Sequence, residues 1–414
     1  MNLRDKLSQL DQQTRRGSFG HSGHPGFSEI RNLPEGEEIT SASGTFYRLR
    51  KVYGLTYLHG NQSLAKIPQR SLSPARFILR QTEDLPSAPE SLLFLDTETT
   101  GLSGGVGTMA FLVGAGYFRD DSFVIEQIFA RDFREERAAL IYLKDLTSSF
   151  SALVSFNGKS FDWPLLVNRW IFNRITEPDH LKSHLDLLYL SRRLWRRTIG
   201  ECTLSNIERK ILNVRRQGDV PGYLVPQLYF EFLRTRDGGD LQKVFHHNRL
   251  DILSLVTLLA LQLDILDGQA PDVPVDHVSL GKLFLQIKEE ALSLSYLENS
   301  QEQIRQSEFL QEVNLFLAKL YKRQGELGKA RSLWNSIIAT GQFQLEAYEE
   351  LAKCYEHRDR DYKKALNLCL AAKKRIRFLE SMNRIPVAPA EKKRLEYRIN
   401  RLEKKLIAKR KNPL

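Results

Sequence analysis

The rhythm of apolar and polar positions changes twice along the chain. Residues 1 to about 40 carry no period. The run Arg15-Arg16-Gly17-Ser18-Phe19-Gly20-His21-Ser22-Gly23-His24-Pro25 is polar and rich in small residues, which predicts partial disorder. Between 41 and 80 alternation begins: Thr45-Phe46-Tyr47-Arg48-Leu49-Arg50 and Tyr53-Gly54-Leu55-Thr56-Tyr57-Leu58 predict short strands, with His59-Gly60-Asn61 as the turn after them. From about 90 to 268 the pattern is mixed. The apolar run 92–95, stopped by Thr100-Gly101, predicts a buried strand, and 108–118 and 122–130 predict two more. Residues 135–146 have helical spacing through Ala139, Leu140, Leu143 and Leu146; 151–156 is a fourth strand, closed by Asn157-Gly158. Pro164 and Leu165-Leu166-Val167 open another helix, and 243–261 forms a third through Val244, Leu250, Leu253, Val256, Leu258 and Leu259. Three strands in meander, then helix, strand and helix, predict an α/β fold with a mixed sheet flanked by helices. The glycine-rich stretch 101–107 lacks the Lys-Ser/Thr of a phosphate loop and reads as a tight connection between strands.

The second change follows the linker-like run 267–274. A short pattern recurs in Leu280-Gly281-Lys282-Leu283-Phe284, Leu317-Ala318-Lys319-Leu320-Tyr321 and Leu351-Ala352-Lys353-Cys354-Tyr355, at spacings of 37 and 34 residues. This resembles tetratricopeptide repeats, with Ala330 and Trp334 in the small and aromatic positions of a second helix, and Ala365 one residue late. Leu395, Ile399, Leu402 and Leu406 give a final amphipathic helix suited to cap a helical stack.

Composition narrows the setting. The 414 residues suffice for two or three domains, and the apolar and charged fractions are those of an ordinary globular chain. Cys202, Cys354 and Cys369 have no metal-ligand spacing and cannot frame a disulfide scaffold, which suits a reducing compartment. The first residues lack the apolar core of a signal peptide. The best apolar stretch, 253–266, is broken by Ser254, Gln262 and Asp264 and is too short to span a bilayer. The expected location is cytoplasmic. The net charge of +11 is concentrated: between Lys373 and Lys411 stand fifteen Lys or Arg and four Glu. A basic tail on a near-neutral body points to a polyanion, nucleic acid first; a solvated helix face is the plainer alternative.

The candidate chemistry is a set of carboxylates. Side chains alternate along a strand, so Asp96 and Glu98 share a face and Thr97 points away. On its own such a pair also serves to cap a turn. Asp162 falls at the start of a helix behind a strand end, where it is equally an N-cap. His247 and Asp251 are four residues apart, about 40° around a helix, so they share a face, whereas His246 stands about 140° from Asp251. Together, Asp96, Glu98, Asp162 and Asp251 would be strongly repulsive without cations. Two Mg²⁺ or Mn²⁺ ions would turn them into a phosphodiester clamp, and a nearby His could take the proton of the attacking water.

These residues carry a family resemblance. Phe94-Leu95-Asp96-Thr97-Glu98-Thr99-Thr100-Gly101-Leu102 resembles the first motif of the DEDD (DnaQ-like) 3′–5′ exonucleases, which have a ribonuclease H-like fold. Asn157 with Phe161-Asp162 is similar to the second motif, and His246 or His247 with Asp251 to the third, in the same order over roughly 90–262. The resemblance implies that Asp96, Glu98, Asp162 and Asp251 hold two metal ions and that a residue near Asp251 is the general base. The histidine branch places that base five before the aspartate, the slot of His246, usually with Ala where this chain has Asn248. The tyrosine branch places it four before, the slot of His247, which the helix face also favours. His184-Leu185-Asp186-Leu187-Leu188 and Leu204-Ser205-Asn206-Ile207-Glu208 resemble the YprB-type branch; Asp186 reads as structural. Arg192, Arg193, Arg196 and Arg197 suit either phosphate contacts or an exposed helix face, and Leu102 is a candidate to pack on a terminal base.

The organisation so implied is an N-terminal extension with short strands (1–85), a ribonuclease H-like exonuclease domain (86–266) and tetratricopeptide-like helical repeats with a basic C-terminal helix (277–414). The implied function is hydrolysis of single-stranded DNA or RNA from a 3′ end, with the repeats as a surface for a protein partner and no membrane involvement. The alternative is an inactive ribonuclease H-like scaffold whose repeats are the working surface.

Overall fold

A computed structural model describes residues 29–79, 83–101, 107–269, 273–303, 307–382 and 388–411. The predicted disorder of residues 1–28, His21, His24, Leu102 and most of the glycine-rich stretch lie outside the described residues. The ends of that stretch are tied together: the Thr100 N–H donates to the Met109 carbonyl (2.9 Å) and the Met109 N–H to Thr100 Oγ1 (3.0 Å).

The strands are β1 (Glu37–Ser41), β2 (Gly44–Gly54), β3 (Leu58–His59), β4 (Gln62–Ser63), β5 (Leu92–Thr99), β6 (Ala110–Arg119), β7 (Ser122–Phe129), β8 (Ala152–Ser155) and β9 (Ser183–Asp186). Seven of them form one mixed sheet in the order β1-β2-β7-β6-β5-β8-β9. Pairing is antiparallel from β1 to β5 and parallel between β5, β8 and β9. The meander expected from the sequence is present. Asp120 and Asp121, both with left-handed φ (46° and 55°), make the two-residue turn between β6 and β7.

One expectation is corrected. The second short strand expected across Tyr53 to Leu58 does not form. β2 instead runs unbroken to Gly54 and ends there, because its partner β7 begins at Ser122, directly opposite. The following residues pair only in the small β3–β4 hairpin.

Helices cover both faces of the sheet: α1 (Glu136–Thr147), α2 (Asp162–Phe172), α3 (Leu187–Ile199), α4 (Leu204–Ile207), α5 (Val225–Thr235) and α6 (Leu241–Leu266). The alternation of β5 sorts the core. Leu93 and Leu95 pack with Leu140, Leu143, Leu166 and Trp170 of α1 and α2, whereas Leu92 and Phe94 pack with Ile252, Leu255 and Leu259 of α6. Even-numbered β5 positions therefore face α6 and odd-numbered ones face α2.

α6 runs past the predicted end because the polar residues that break its apolar run are partnered. Gln262 donates to the Leu187 carbonyl (3.0 Å) and Ser191 (2.9 Å), and Asp264 takes Lys66 (3.2 Å) and Arg70 (2.5 Å). Among the described residues, no helix is long and apolar enough to cross a membrane.

Beyond α6 the elements among the described residues are all helices: α7 (His277–Gln286), α8 (Glu290–Gln303), α9 (Ser307–Arg323), α10 (Leu327–Ala339), α11 (Leu345–His357), α12 (Tyr362–Ser381) and α13 (Pro389–Lys411). The three recurring segments fall on α7, α9 and α11. Leu280 and Phe284 of α7 join the same core as α6. Of the four arginines considered for phosphate contact, two are instead committed to this junction. Arg193 donates to Gln286 (2.8 Å), and Arg197 pairs with Asp276 (3.4 Å) and Glu312 (3.3 Å), because α3 packs against α7. Glu356 of α11, fully buried, takes Arg398, Arg401 and Lys405 of α13 at 2.7–3.0 Å.

Candidate active site

β5 pairs with β8 only as far as Phe94, so the last turn of β5 opens toward the crevice at the strand ends, where ligands bind in α/β sheets. Asp96 and Glu98, both even-numbered, face α6. Thr97 faces the other side and meets Asp162, which comes from the first turn of α2. Thr97 Oγ1 donates to Asp162 Oδ1 at 2.5 Å.

The turn before α2 is built for this approach. Asn157 is left-handed (φ 67°), and a Cβ on Gly158 would lie 2.2 Å from Ser155 Oγ and 3.3 Å from Asp162 Oδ2, so only glycine fits under the carboxylate. Asp186 holds the turn in place, accepting from the Asn157 N–H (2.9 Å), the Lys159 N–H (3.1 Å) and the Leu188 N–H (3.1 Å).

From the opposite face α6 delivers His247, Asn248 and Asp251. Asn248 Nδ2 donates to Asp96 Oδ2 (2.9 Å), while its Oδ1 accepts from Gln127 Nε2 (2.9 Å), which also donates to the Phe245 carbonyl (2.8 Å). The Asn248 amide sits above β6 where Gly114 pairs with Asp96; a Cβ on Gly114 would lie 2.4 Å from Asn248 Oδ1.

His247 Nδ1 lies 2.7 Å from Asp219 Oδ1 and 3.1 Å from Arg216 Nη1; the ionised carboxylate can only accept, so the shorter contact takes an Nδ1 proton, and Nε2 is turned toward Asp251 Oδ2 (3.4 Å) and Glu98 Oε1 (4.0 Å). His246 faces elsewhere: its Nδ1 meets Arg249 at 2.9 Å. Arg216 closes the site from a loop. It bonds Glu208 through two nitrogens (2.6 Å each) and Asp219 (3.1 Å), and it pairs with Asp251.

The electrostatics follow from this crowding. Burial, then the neighbouring carboxylates Asp251 and Asp162, hold Asp96 well above the usual carboxylate range; burial and Asp96, Asp251 and Asp162 do the same to Glu98. Asp162 is pushed up to about 6, by burial first, with the Thr97 hydrogen bond opposing. Asp219 goes the other way: burial would raise it, but His247 and Arg216 bring it down to about 2. For His247, burial favours the neutral ring, and Asp219 and Asp251 outweigh it, so its pKa is raised.

Asp96, Glu98, Asp162 and Asp251 thus share one charge environment at one end of the sheet. Glu98, His247 and Asp251 each present a ligand atom within 4.8 Å of the others. An oxygen-rich set whose ionised form is opposed by burial and repulsion fits a hard divalent cation.

Sequence reasoning missed Arg216, Asp219 and Gln127, and met Glu208 only inside a resembling stretch. Charged residues between two helices, Glu208 and Arg216 in particular, were the available signal, but nothing local reveals what they bond.

Residues 93–262 match the RNase_H superfamily. The chain is also 34% identical over 284 residues to an uncharacterized protein, YprB, of Bacillus subtilis (strain 168), an alignment covering 67% of this chain and 68% of that protein.

Proposed function

The chain belongs to the same family as YprB, within the ribonuclease H superfamily, and from this membership and the site we propose that it is a two-metal-dependent 3′–5′ exonuclease acting on single-stranded nucleic acid. A nuclease-type function follows from the superfamily. The exonuclease assignment is supported above all by one observation: the buried Asp96 and Glu98 of β5 both feel the charges of Asp162 from α2 and Asp251 from α6, in the order of the three DEDD-like motifs. The 3′ polarity comes from that resemblance.

In this reading Asp96, Glu98, Asp162 and Asp251 hold Mg²⁺ or Mn²⁺. Two such ions would supply Lewis-acid activation of a water and charge compensation at the leaving oxygen. The chain's own residues do the positioning. Thr97 fixes the Asp162 carboxylate, Asn248 fixes that of Asp96, and Gln127 fixes Asn248. His247, with Nδ1 committed to Asp219, presents Nε2 as the proton acceptor for the attacking water; His246, turned to Arg249, does not.

We read α7–α13 as tetratricopeptide-like pairs closed by a basic helix. Their recurring Leu-Gly/Ala-x-x-aromatic segments on the first helix of each pair support this, as do buried Ala330 and Trp334. Exposed cations of α12 and α13 such as Arg377 and Lys404, which carry no bond to a carboxylate among the described residues, are the ones available to a phosphate backbone. The test is digestion of free and 3′-blocked single-stranded DNA and RNA with Mg²⁺ or Mn²⁺. Mononucleotide release from free 3′ ends alone is expected, with at least about a 10³-fold loss in Asp96→Ala and Asp251→Ala. Activity unchanged by either substitution would sink the proposal.

A further inference from the structure

The arginines of α3 divide into two sets. Arg193 and Arg197 are committed to the junction with α7, whereas Arg192 and Arg196 are exposed and carry no bond to a carboxylate among the described residues. Tyr189, Arg192 and Arg196 stand at i, i+3 and i+7, so they form one exposed stripe about 10 Å long, with Leu187, Leu190 and Leu194 in the core behind it. The helix contains no Asp or Glu. Burial raises the Cys202 thiol, and Arg192 and Arg196 both oppose that rise, which sets the two guanidinium groups on the same side of the corner between α3 and α4.

The stripe begins at the active site. α3 starts where β9 ends, beside the turn that Asp186 holds, and Tyr189 Oη lies 3.3 Å from Ser160 Oγ, two residues before Asp162. The Tyr189 ring is nevertheless 52% exposed. At its other end the stripe meets an open polar cavity of about 560 Å³ in which Thr203, Ser205, Asn206, Arg209 and Lys210 stand against a single carboxylate, Glu201.

We propose that Tyr189, Arg192 and Arg196 form the track along which a single strand leaves the active site on its 5′ side. A base stacks on Tyr189, and the two guanidinium groups take successive phosphates toward the cavity beyond α3. This rests on the nuclease reading above. A π face accepts any base and a guanidinium meets two phosphate oxygens at once, so such a track binds without reading sequence. Solvation alone would explain either arginine. It does not explain why the stripe carries an aromatic ring where it meets the crevice and no anion along its length.

The test uses the full chain, Ca²⁺ and a single strand whose 3′-terminal phosphorothioate linkage resists cleavage, with a fluorophore at its 5′ end. Affinity is read by fluorescence anisotropy across a salt series. Arg192→Ala/Arg196→Ala is expected to bind at least about tenfold more weakly at low salt, and the slope of log affinity against log salt should become shallower by about 1.4, the share of two phosphate contacts on a single strand. Arg192→Lys/Arg196→Lys, which keeps the charge, should keep the slope. Tyr189→Ala should lose at least about fivefold in affinity with the slope unaltered, and Tyr189→Trp should retain the affinity. An unaltered slope in the double alanine variant, or Tyr189→Ala binding as wild type does, overturns the proposal.

A second measurement needs no variant. With iodouracil at successive positions from the 3′ end, photo-crosslinking to Tyr189 should be strongest close to that end and fade as the base moves in the 5′ direction. Crosslinks confined to α12 and α13, or a wild type that binds no single strand, overturn the inference. The nuclease reading fails separately: that outcome is a strand held on this stripe and not hydrolysed in Mg²⁺ or Mn²⁺.

Discussion

The close approach of α6 to β6 at Gly114 gives the sharpest quantitative expectation. In Gly114→Ala the new methyl group would stand 2.4, 2.8 and 2.9 Å from Oδ1, Nδ2 and Cγ of Asn248, where ordinary contact begins at 3.4 Å. The amide must retreat by about 1 Å, yet it is completely buried and bonded on both sides. Overpacking of this kind costs about 1–3 kcal/mol, and loss of the two amide hydrogen bonds adds about 1 kcal/mol each. The expected total is about 3–5 kcal/mol, read by urea denaturation in the presence of a chelator. Asn248→Ala alone removes the same bonds and should cost about 1–3 kcal/mol. The double variant places one methyl where the amide was. The two costs should therefore not add, with a coupling of at least about 1 kcal/mol. A Gly114→Ala cost below about 0.5 kcal/mol, or a cycle additive within that margin, would refute the reasoning.

Other outcomes follow from the same geometry. Asp162, raised from 3.8 to about 6, binds a proton more tightly folded than unfolded, so its ionisation removes stability as pH rises from about 4 to about 6. The stability of Asp162→Asn relative to wild type should accordingly grow across that window in chelator, and a constant difference would show the group to be unperturbed. His247→Ala should lower the rate of nucleotide release while leaving Mn²⁺ uptake in place, and His246→Ala should change neither by more than about twofold; the reverse pattern would transfer the role of base. Glu356→Ala leaves Arg398, Arg401 and Lys405 facing a void without their anion. It should cost about 3–5 kcal/mol and expose α13 to limited proteolysis, whereas Glu356→Gln should cost less.

Much of this site could be read before any fold was in hand, and the reason is periodicity. The two-residue repeat of a strand puts Asp96 and Glu98 on one face, and the 3.6-residue repeat of a helix puts His247 and Asp251 on another. Both rules act within a few residues. What they could not supply is pairing at long range. That β2 lies beside β7 depends on registers such as Val52 opposite Val124, and Arg48, Arg50 and Lys51 blur the alternation that would advertise a core strand. Arg216 and Asp219 sit in a loop with no period at all, so their partners could not be inferred from spacing. Asn248 was visible only as a residue where the resemblance has Ala. Its hydrogen bond to Asp96 depends on Gly114 lying directly beneath it, a coincidence of two chain segments that neither sequence stretch announces.

The pairing of β2 with β7 also determines where this chain can be cut. The superfamily match begins at residue 93, but the eight β2–β7 partner pairs, from Tyr47 opposite Phe129 to Gly54 opposite Ser122, come from upstream of it. A fragment trimmed to the matched segment leaves one whole side of β7 with unmet N–H and C=O groups beside buried Val124 and Ile128. Such an open edge templates the addition of another strand. Self-association of the excised catalytic region would then report a missing neighbour strand, not a property of the intact protein.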